Sequence, residues 1–372
     1  MKPETLALRS THPTDNNASA VVAPIYLSTT FERNQNYELP HGFLYSRAGN
    51  PNRQQLEHAL ATLEGGTEAM AFASGQAATM SFFQALNPGD HVLVPDDAYY
   101  GTPALLQEVF TRWGLTFSKI DSTDPGKIEA AIRPETKVLW LETPSNPLVK
   151  VADLTVTAAL AKTYGLLTVC DNTWATPLIQ RPLDLGCDVV MHSTTKYLSG
   201  HSDVLGGALI FKESNELSGR IRQIQTLGGA VASPFDCWLT SRGIKTLAVR
   251  IKQQSANAAQ LATFLETHAA VERVHYPGLP SHAGYEIAQK QMKLPGAMLS
   301  VQVKGGAAEA IQCMQKLQLF TRATSLGGVE SLIEHRASVE GPDSLTPANL
   351  LRISVGLEHI DDLLNDLTQA LG

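Results

Sequence analysis

The chain is short of the features that mark several classes of protein. It has four cysteines in 372 residues, Cys170, Cys187, Cys237 and Cys313, with no Cys-x-x-Cys pair among them. That scatter argues against a disulfide framework or a thiolate zinc site, and no metal is expected. It fits reduced, mostly buried thiols in a cytoplasmic protein. Basic residues are outnumbered: 29 Lys and Arg against 36 Asp and Glu give a net charge of −7, and there is no basic run. Neither nucleic acid nor an anionic membrane is therefore an expected partner. No apolar stretch approaches the ~20 residues that cross a bilayer. Met1 to Asn17 is polar where a secretory leader would carry an apolar core. Internal repeats and low-complexity tracts are absent. A Gly-x-Gly-x-x-Gly turn after the first strand is also missing, which argues against a nicotinamide dehydrogenase.

What is present suits a large globular enzyme. Hydrophobic residues make up 43% and charged residues 17% of the chain, and the length exceeds what one core normally supports, so two domains are expected. Residues 1–45 are polar and weakly periodic and read as an extended arm. From 46 to 240, apolar runs such as His91 to Pro95, Val138 to Glu142 and Leu166 to Asp171 alternate with helical stretches such as Gly101 to Trp113. This is the pattern of a mostly parallel α/β sheet, in which ligands gather at the C-terminal ends of strands. Residues 241–372 read as a smaller α+β domain. It opens with a helical stretch from Ile244 to His268. Strands follow near Val274, Ala297 to Val303 and Leu351 to Val355, with helices at Ala307 to Leu317 and Ile360 to Leu371.

Lys196 carries the chemistry. It stands in His192-Ser193-Thr194-Thr195-Lys196-Tyr197, after the apolar run Val189-Val190-Met191. A lysine amine becomes a nucleophile when it is held, partly desolvated and close to other cations, and Ser193 and Thr195 offer hydroxyls to a phosphate. A bare Ser-x-Thr-Lys is more often a surface lysine at a strand end. Asp171 reverses that reading, because it closes the preceding strand on a carboxylate. A lysine, a phosphate site and a carboxylate for a pyridinium nitrogen are the requirements of pyridoxal 5′-phosphate (PLP). Ala71 to Thr79 adds a strand running into Ser74-Gly75-Gln76 and a helix start, where free backbone N–H groups attract phosphate.

Several motifs match a known family in order along the chain. They are Ser74-Gly75-x-Ala77-Ala78, Asp96-Asp97-x-Tyr99-x-Gly101-Thr102, Glu142 to Pro147, Asp171-Asn172-Thr173, Ser193-x-Thr195-Lys196-Tyr197, Ser325-Leu326-Gly327-Gly328-x-Glu330-Ser331-Leu332 and Leu351-Arg352-x-Ser354-x-Gly356. Together they resemble the Cys/Met-metabolism PLP enzymes of transsulfuration. The resemblance implies the fold type I architecture of PLP-dependent transferases, like aspartate aminotransferase. It implies that Tyr99 stacks on the cofactor ring and exchanges protons, that Asn146 bonds the ring hydroxyl, and that Gly75, Gln76, Ser193 and Thr195 hold the phosphate. Arg352 would clamp the substrate α-carboxylate together with Ser325 and Asn146. Tyr45 and Arg47 would reach a neighbouring subunit's phosphate, so that active sites are shared in a homotetramer of two dimers.

The chain departs from the family pattern at several places. Tyr100 stands where glycine is usual, Gln76 where methionine is frequent, and Thr324 where many synthases and γ-lyases carry glutamate. The segment Arg336 to Pro342 replaces a Met-Thr-His type of sequence, with Glu340-Gly341-Pro342 at its end. Leu326 stands where one bacterial β-lyase branch has tryptophan. The favoured reaction is γ-replacement of an O-acylhomoserine by cysteine, as in cystathionine γ-synthase. The alternative is γ- or β-elimination of cystathionine or a related thioether. A PLP-binding protein without turnover is a remote third reading, disfavoured because lysine, acid, tyrosine and arginine occur together.

Overall fold

The apolar runs become the strands of one sheet. In the computed structural model, which describes residues 1–11, 19–340 and 346–372, these strands are β1 Glu68–Phe72, β2 His91–Pro95, β3 Thr116–Ile120, β4 Thr136–Glu142, β5 Leu167–Asp171, β6 Val189–His192 and β7 Gly207–Phe211. Their order is β1-β7-β6-β5-β4-β2-β3. The run from β6 to β3 is parallel, while β7 lies antiparallel to both β1 and β6. A sheet covered on both faces needs apolar side chains at odd and even positions alike, and β4 supplies them. Val138 and Trp140 pack into the cluster of Phe82, Phe83 and Val92, whereas Leu139 and Leu141 face the cluster of Ile128 and Leu154. Phe82 meets the Trp140 ring edge-on at 5.7 Å, a favoured aromatic arrangement.

The smaller sheet has five strands: β8 Val271–His275, β9 Met298–Val303, β10 Thr321–Arg322, β11 Leu332–His335 and β12 Leu350–Ser354. They lie in the order β10-β11-β12-β9-β8. Here the alternation is two-sided. Leu299, Val301, Ile333, Leu351 and Ile353 form one core with the helices Leu247–Thr267 and Ile360–Leu371. Ser300, Glu334 and Arg352 occupy the intervening positions and sit side by side in the β-ladder. Successive residues of a strand point to opposite faces, so the polar set shares the face away from that core.

Three features differ from the sequence expectation. The N-terminal stretch begins with a helix, Pro3–Arg9, not an extended arm. Pro3 starts it, Glu4 sits in its first turn and Arg9 in its last, as suits the helix dipole. It docks on the helices Pro51–Glu64 and Leu247–Thr267 of its own chain, with Ala7 fully buried. Residues 12–18 of that stretch, and Gly341 and Pro342 of the departing segment, lie outside the described residues. Position 240 falls inside the helix Pro234–Ile244, which packs on Pro51–Glu64. Strand β11 was not anticipated, because its two charged or polar residues hide the apolar pair Leu332 and Ile333.

Burial of β4 sets a stability prediction. Leu139 is fully buried, and Leu139→Ala is expected to cost about 2–5 kcal/mol in urea unfolding. A loss under about 1 kcal/mol would contradict the packing described here.

Candidate active site

The C-terminal ends of β4 and β5 deliver two carboxylates side by side, since Glu142 and Asp171 are register partners. Asp171 accepts hydrogen bonds from the Thr173 N–H (3.0 Å) and the Thr173 hydroxyl (2.5 Å). Burial pushes its carboxyl up, and the Thr173 bonds hold it down. Glu142 accepts the Tyr99 N–H at 2.8 Å. Burial, followed by the charge of Asp171, drives its pKa well above the usual carboxylate range. Two desolvated acids at one edge leave room for a cation to be welcome there.

Lys196 lies in the turn after β6. Its amine donates to the Ser325 hydroxyl at 2.6 Å. Burial first, then the guanidinium groups of Arg352 and Arg336, push its pKa down to about 8, against a smaller upward pull from Glu334. Ser325 has φ +90°, in the left-handed region that non-glycine residues rarely occupy. That backbone turn lets one residue serve both cations, because the Ser325 carbonyl accepts from Arg352 Nη2 at 3.0 Å. Arg352 also donates from Nη1 to Asn146 Oδ1 at 3.2 Å. Burial lowers its pKa to about 10.

Asn146 is held from below by the acidic motif. Asp97 accepts from the Ser145 hydroxyl and from the Leu148 N–H at 3.0 Å, which pins both sides of the Asn146 turn. Burial raises Asp97 to about 6 despite these bonds. The neighbouring Tyr99 is pushed up to about 12, mainly by burial and then by Tyr100, whose ring centroid is 4.9 Å away. The Tyr99 phenol therefore keeps its proton at neutral pH.

Opposite these groups is a cradle suited to a phosphate. The helix Gly75–Gln84 begins at the cavity wall, with the Ser74 hydroxyl capping the Ala77 N–H at 3.1 Å. A Cβ on Gly75 would come within 3.0 Å of the Ser193 Cβ, and one on Gly207 within 2.1 Å of the Ser74 carbonyl oxygen. Glycine at both positions lets β7, the Ser193 turn and the helix start close together. The Gln76 side chain is not aimed into this cradle: it donates to the Gly101 carbonyl at 3.0 Å, so only its backbone N–H is available there.

These elements enclose one cavity of about 670 Å³. Gly75, Gln76, Tyr99, Asn146, Asp171, Ser193, Thr195, Lys196, Ser325 and Arg352, each singled out in the sequence, are brought together in it. Tyr45 and Arg47 are not. Tyr45 is 44% exposed, with the Arg47 guanidinium 5.5 Å from its ring centre, and neither lines the cavity of its own chain. The sequence reading missed Glu142, Thr173, Glu334 and Arg336 as wall residues. Glu142 and Thr173 stood inside quoted motifs without a role. Glu334 also forms an ion pair with Arg352 at 2.6 Å.

PLP is tested against this geometry by its chemistry. A buried acid pair with no ion-pair partner among the described residues matches a protonated ring. A lysine with a lowered pKa matches an aldehyde, and a helix start with two hydroxyls and a glycine-lined approach matches a phosphate. The residues fit. The sequence also matches the profile of the Cys/Met metabolism PLP-dependent enzymes over residues 4–372.

The chain belongs to that family.

It is a PLP-dependent enzyme with the fold of its structural relatives. The chain is 48% identical to a cystathionine gamma-synthase of Mycobacterium tuberculosis, covering 100% of this chain and 97% of the relative. It is 45% identical to a cystathionine beta-lyase of Coxiella burnetii, covering 99% and 97%. Its structure matches that of metB from Corynebacterium glutamicum with a TM-score of 0.97 and 42% identity, covering 100% and 98% of the two chains. The cystathionine gamma-lyase of Lactobacillus plantarum, solved in complex with L-serine, gives 0.94 at 40% identity, covering 100% and 98%.

The lowered pKa of Lys196 yields a test on cofactor-free enzyme. The rate of PLP uptake, followed by absorbance, should rise with pH through about 8 as the amine loses its proton. Arg352→Gln removes a cation that disfavours the charged amine, so the midpoint should move upward. A midpoint unmoved from the ordinary lysine range would contradict the assignment.

Proposed function

We propose that this enzyme catalyses γ-replacement on an O-acylhomoserine, with cysteine as the incoming thiol and cystathionine as the product. One observation carries the reading: a lysine amine of lowered pKa shares a cavity with a buried acid pair and a buried guanidinium, and Ser325 ties the amine to the guanidinium. The similarity to the mycobacterial cystathionine gamma-synthase points to synthesis. The relatives named cystathionine beta-lyase and gamma-lyase support a second reading, elimination of cystathionine or a related thioether.

When bound, PLP supplies an aldehyde that bonds to amines and a protonated ring that draws electrons from the substrate α-carbon. The chain's own residues do the rest. Ser193, Thr195 and the N–H groups of Gly75 and Gln76 would hold the phosphate, and Asp171, steadied by Thr173, would be the counter-charge for the ring nitrogen. Asn146 Oδ1 accepts from Arg352, which leaves its amide N–H₂ for the ring hydroxyl. Arg352 offers a planar fork to the α-carboxylate that a lysine could not match. Lys196, with a pKa of about 8, is suited to remove the α-proton and return it along the side chain. Tyr99, protonated at working pH, would lie against the ring and supply a proton. Across the reaction the Cγ–O bond breaks, its electron pair leaving with the carboxylate. The Cγ–S bond forms as the thiol loses its proton.

The same reading gives Tyr45 and Arg47 to a neighbour's phosphate, within a homotetramer built from two dimers that share active sites. Neither residue lines the cavity of its own chain, which supports it, as does the exposure of Val21 (78%) and Leu27 (70%) earlier in the same N-terminal stretch. It also divides the chain into an N-terminal arm, a cofactor domain and a smaller C-terminal domain. A cytoplasmic location accords with four buried, unpaired cysteines. Among the described residues no helix is long and apolar enough to cross a membrane.

Two experiments test this. With an O-acylhomoserine and cysteine, the purified enzyme should form cystathionine and little 2-oxobutyrate, and Lys196→Ala should abolish turnover. Oxo-acid, ammonia and thiol released from cystathionine alone, with no synthesis, would favour the second reading instead. Mixing Arg47→Ala subunits with Lys196→Ala subunits should restore activity that neither has alone, because some sites then receive both intact residues. Failure to complement in verified hetero-oligomers would remove the shared-site assignment.

A further inference from the structure

The segment that departs most from the family pattern, Arg336 to Glu340, contributes two charges to a buried ionic ladder that ends on Arg352. Glu334 Oε2 forms an ion pair with Arg352 Nη2 at 2.6 Å and accepts a hydrogen bond from Arg336 Nη1 at 2.9 Å. Arg336 continues outward to Glu340, donating from Nη2 at 2.7 Å and from Nε at 3.2 Å. Its guanidinium lies 6.0 Å from the centre of the Tyr100 ring, itself a departure from the usual glycine. Arg336 is 2% exposed and Glu334 6%, and both line the cavity.

The ladder answers a difficulty in the reading of Arg352. A guanidinium closed against one buried glutamate is a neutral pair, and a substrate carboxylate would meet as much repulsion from Glu334 as attraction from Arg352. Buried charges interact strongly because little water intervenes. Arg336 changes this balance by engaging the very oxygen of Glu334 that Arg352 uses. We infer that Arg336 is a positioning residue for substrate binding: by neutralising Glu334 it leaves the charge of Arg352 free for the α-carboxylate of the amino-acid substrate. Arg336 is itself 2% exposed, so its charge is little screened by water. Direct recognition of a second substrate carboxylate by Arg336 is the weaker assignment, since its Nε, Nη1 and Nη2 each already donate to a protein carboxylate. The inference rests on the proposed role of Arg352 as the carboxylate clamp.

The test uses PLP-loaded enzyme and two readouts: KM for an O-acylhomoserine, and the dissociation constant of glycine, which has no leaving group, read from the cofactor absorbance. Arg336→Gln should raise both by about tenfold, the scale of one unbalanced charge in a partly buried site, with the effect falling on KM more than on kcat. Glu334→Gln keeps a hydrogen-bond acceptor but removes the negative charge, so it should lower both constants, a direction that structural damage would not produce. The double variant should return toward the parent. An unchanged glycine constant in Arg336→Gln overturns the inference, as does a rise in both constants for Glu334→Gln. An effect of Arg336→Gln confined to substrates with a second carboxylate overturns it in favour of direct recognition. Arg352→Gln is the control. If it leaves glycine binding intact, the clamp assignment itself fails, and that failure is distinguishable from the others.

Discussion

Two cations denied water meet at one serine. Lys196 donates a hydrogen bond to the Ser325 hydroxyl and Arg352 donates one to the Ser325 carbonyl, and almost everything in the cavity follows from keeping these groups close. Proximity of the guanidinium is part of what brings the amine down to about 8, and that makes it usable as a base. The cost is borne by burial of both groups and by a backbone angle at Ser325 that a non-glycine residue resists. The acids Glu142 and Asp171 on the other wall are pushed the opposite way by the same loss of water. A cofactor carrying both a cationic ring and an aldehyde relieves both sides at once.

The sheet order puts these groups where they are. Parallel strands β4, β5 and β6 all end at one edge, so Glu142, Asp171 and the turn leading to Lys196 emerge together. The antiparallel return of β7 brings Gly207 under Ser74, and only a residue without a side chain permits that contact. The helix start at Gly75 is thereby held against the Ser193 turn. The second sheet closes the site from the other side through β11 and β12.

Much of this was legible in the sequence, and the reason differs by residue. Asp171 announces itself because it ends an apolar run, and Lys196 because it follows one past a set of hydroxyls; a charge at such a place needs a use. The parallel strands are readable because apolar residues occupy both faces. Glu334 was not readable. Its strand carries a charge and a histidine in four residues, and their placement makes sense only once Arg352 is known to lie across the ladder. The Pro3–Arg9 helix is too short to show periodicity, and packing of Ala7 against distant helices holds it. Tyr45 and Arg47 belong to a loop with little regular structure beyond one bridge from Thr30 to Tyr45, so nothing local signals their role. The docking of the Asn146 turn on Asp97 likewise depends on two segments distant in sequence.

The alternation in the smaller sheet ties chemistry to alignment. Leu351 and Ile353 face the apolar core, and Arg352 between them faces the cavity. Were β12 to slide by one residue against its neighbours, the guanidinium would be thrust among Leu299, Val301 and Ile333 while two aliphatic side chains entered an ionic wall. The residue assigned to grip the substrate thus also forbids mispairing of the strands that carry it. Selection for catalysis at this position would guard the folding of the whole C-terminal unit.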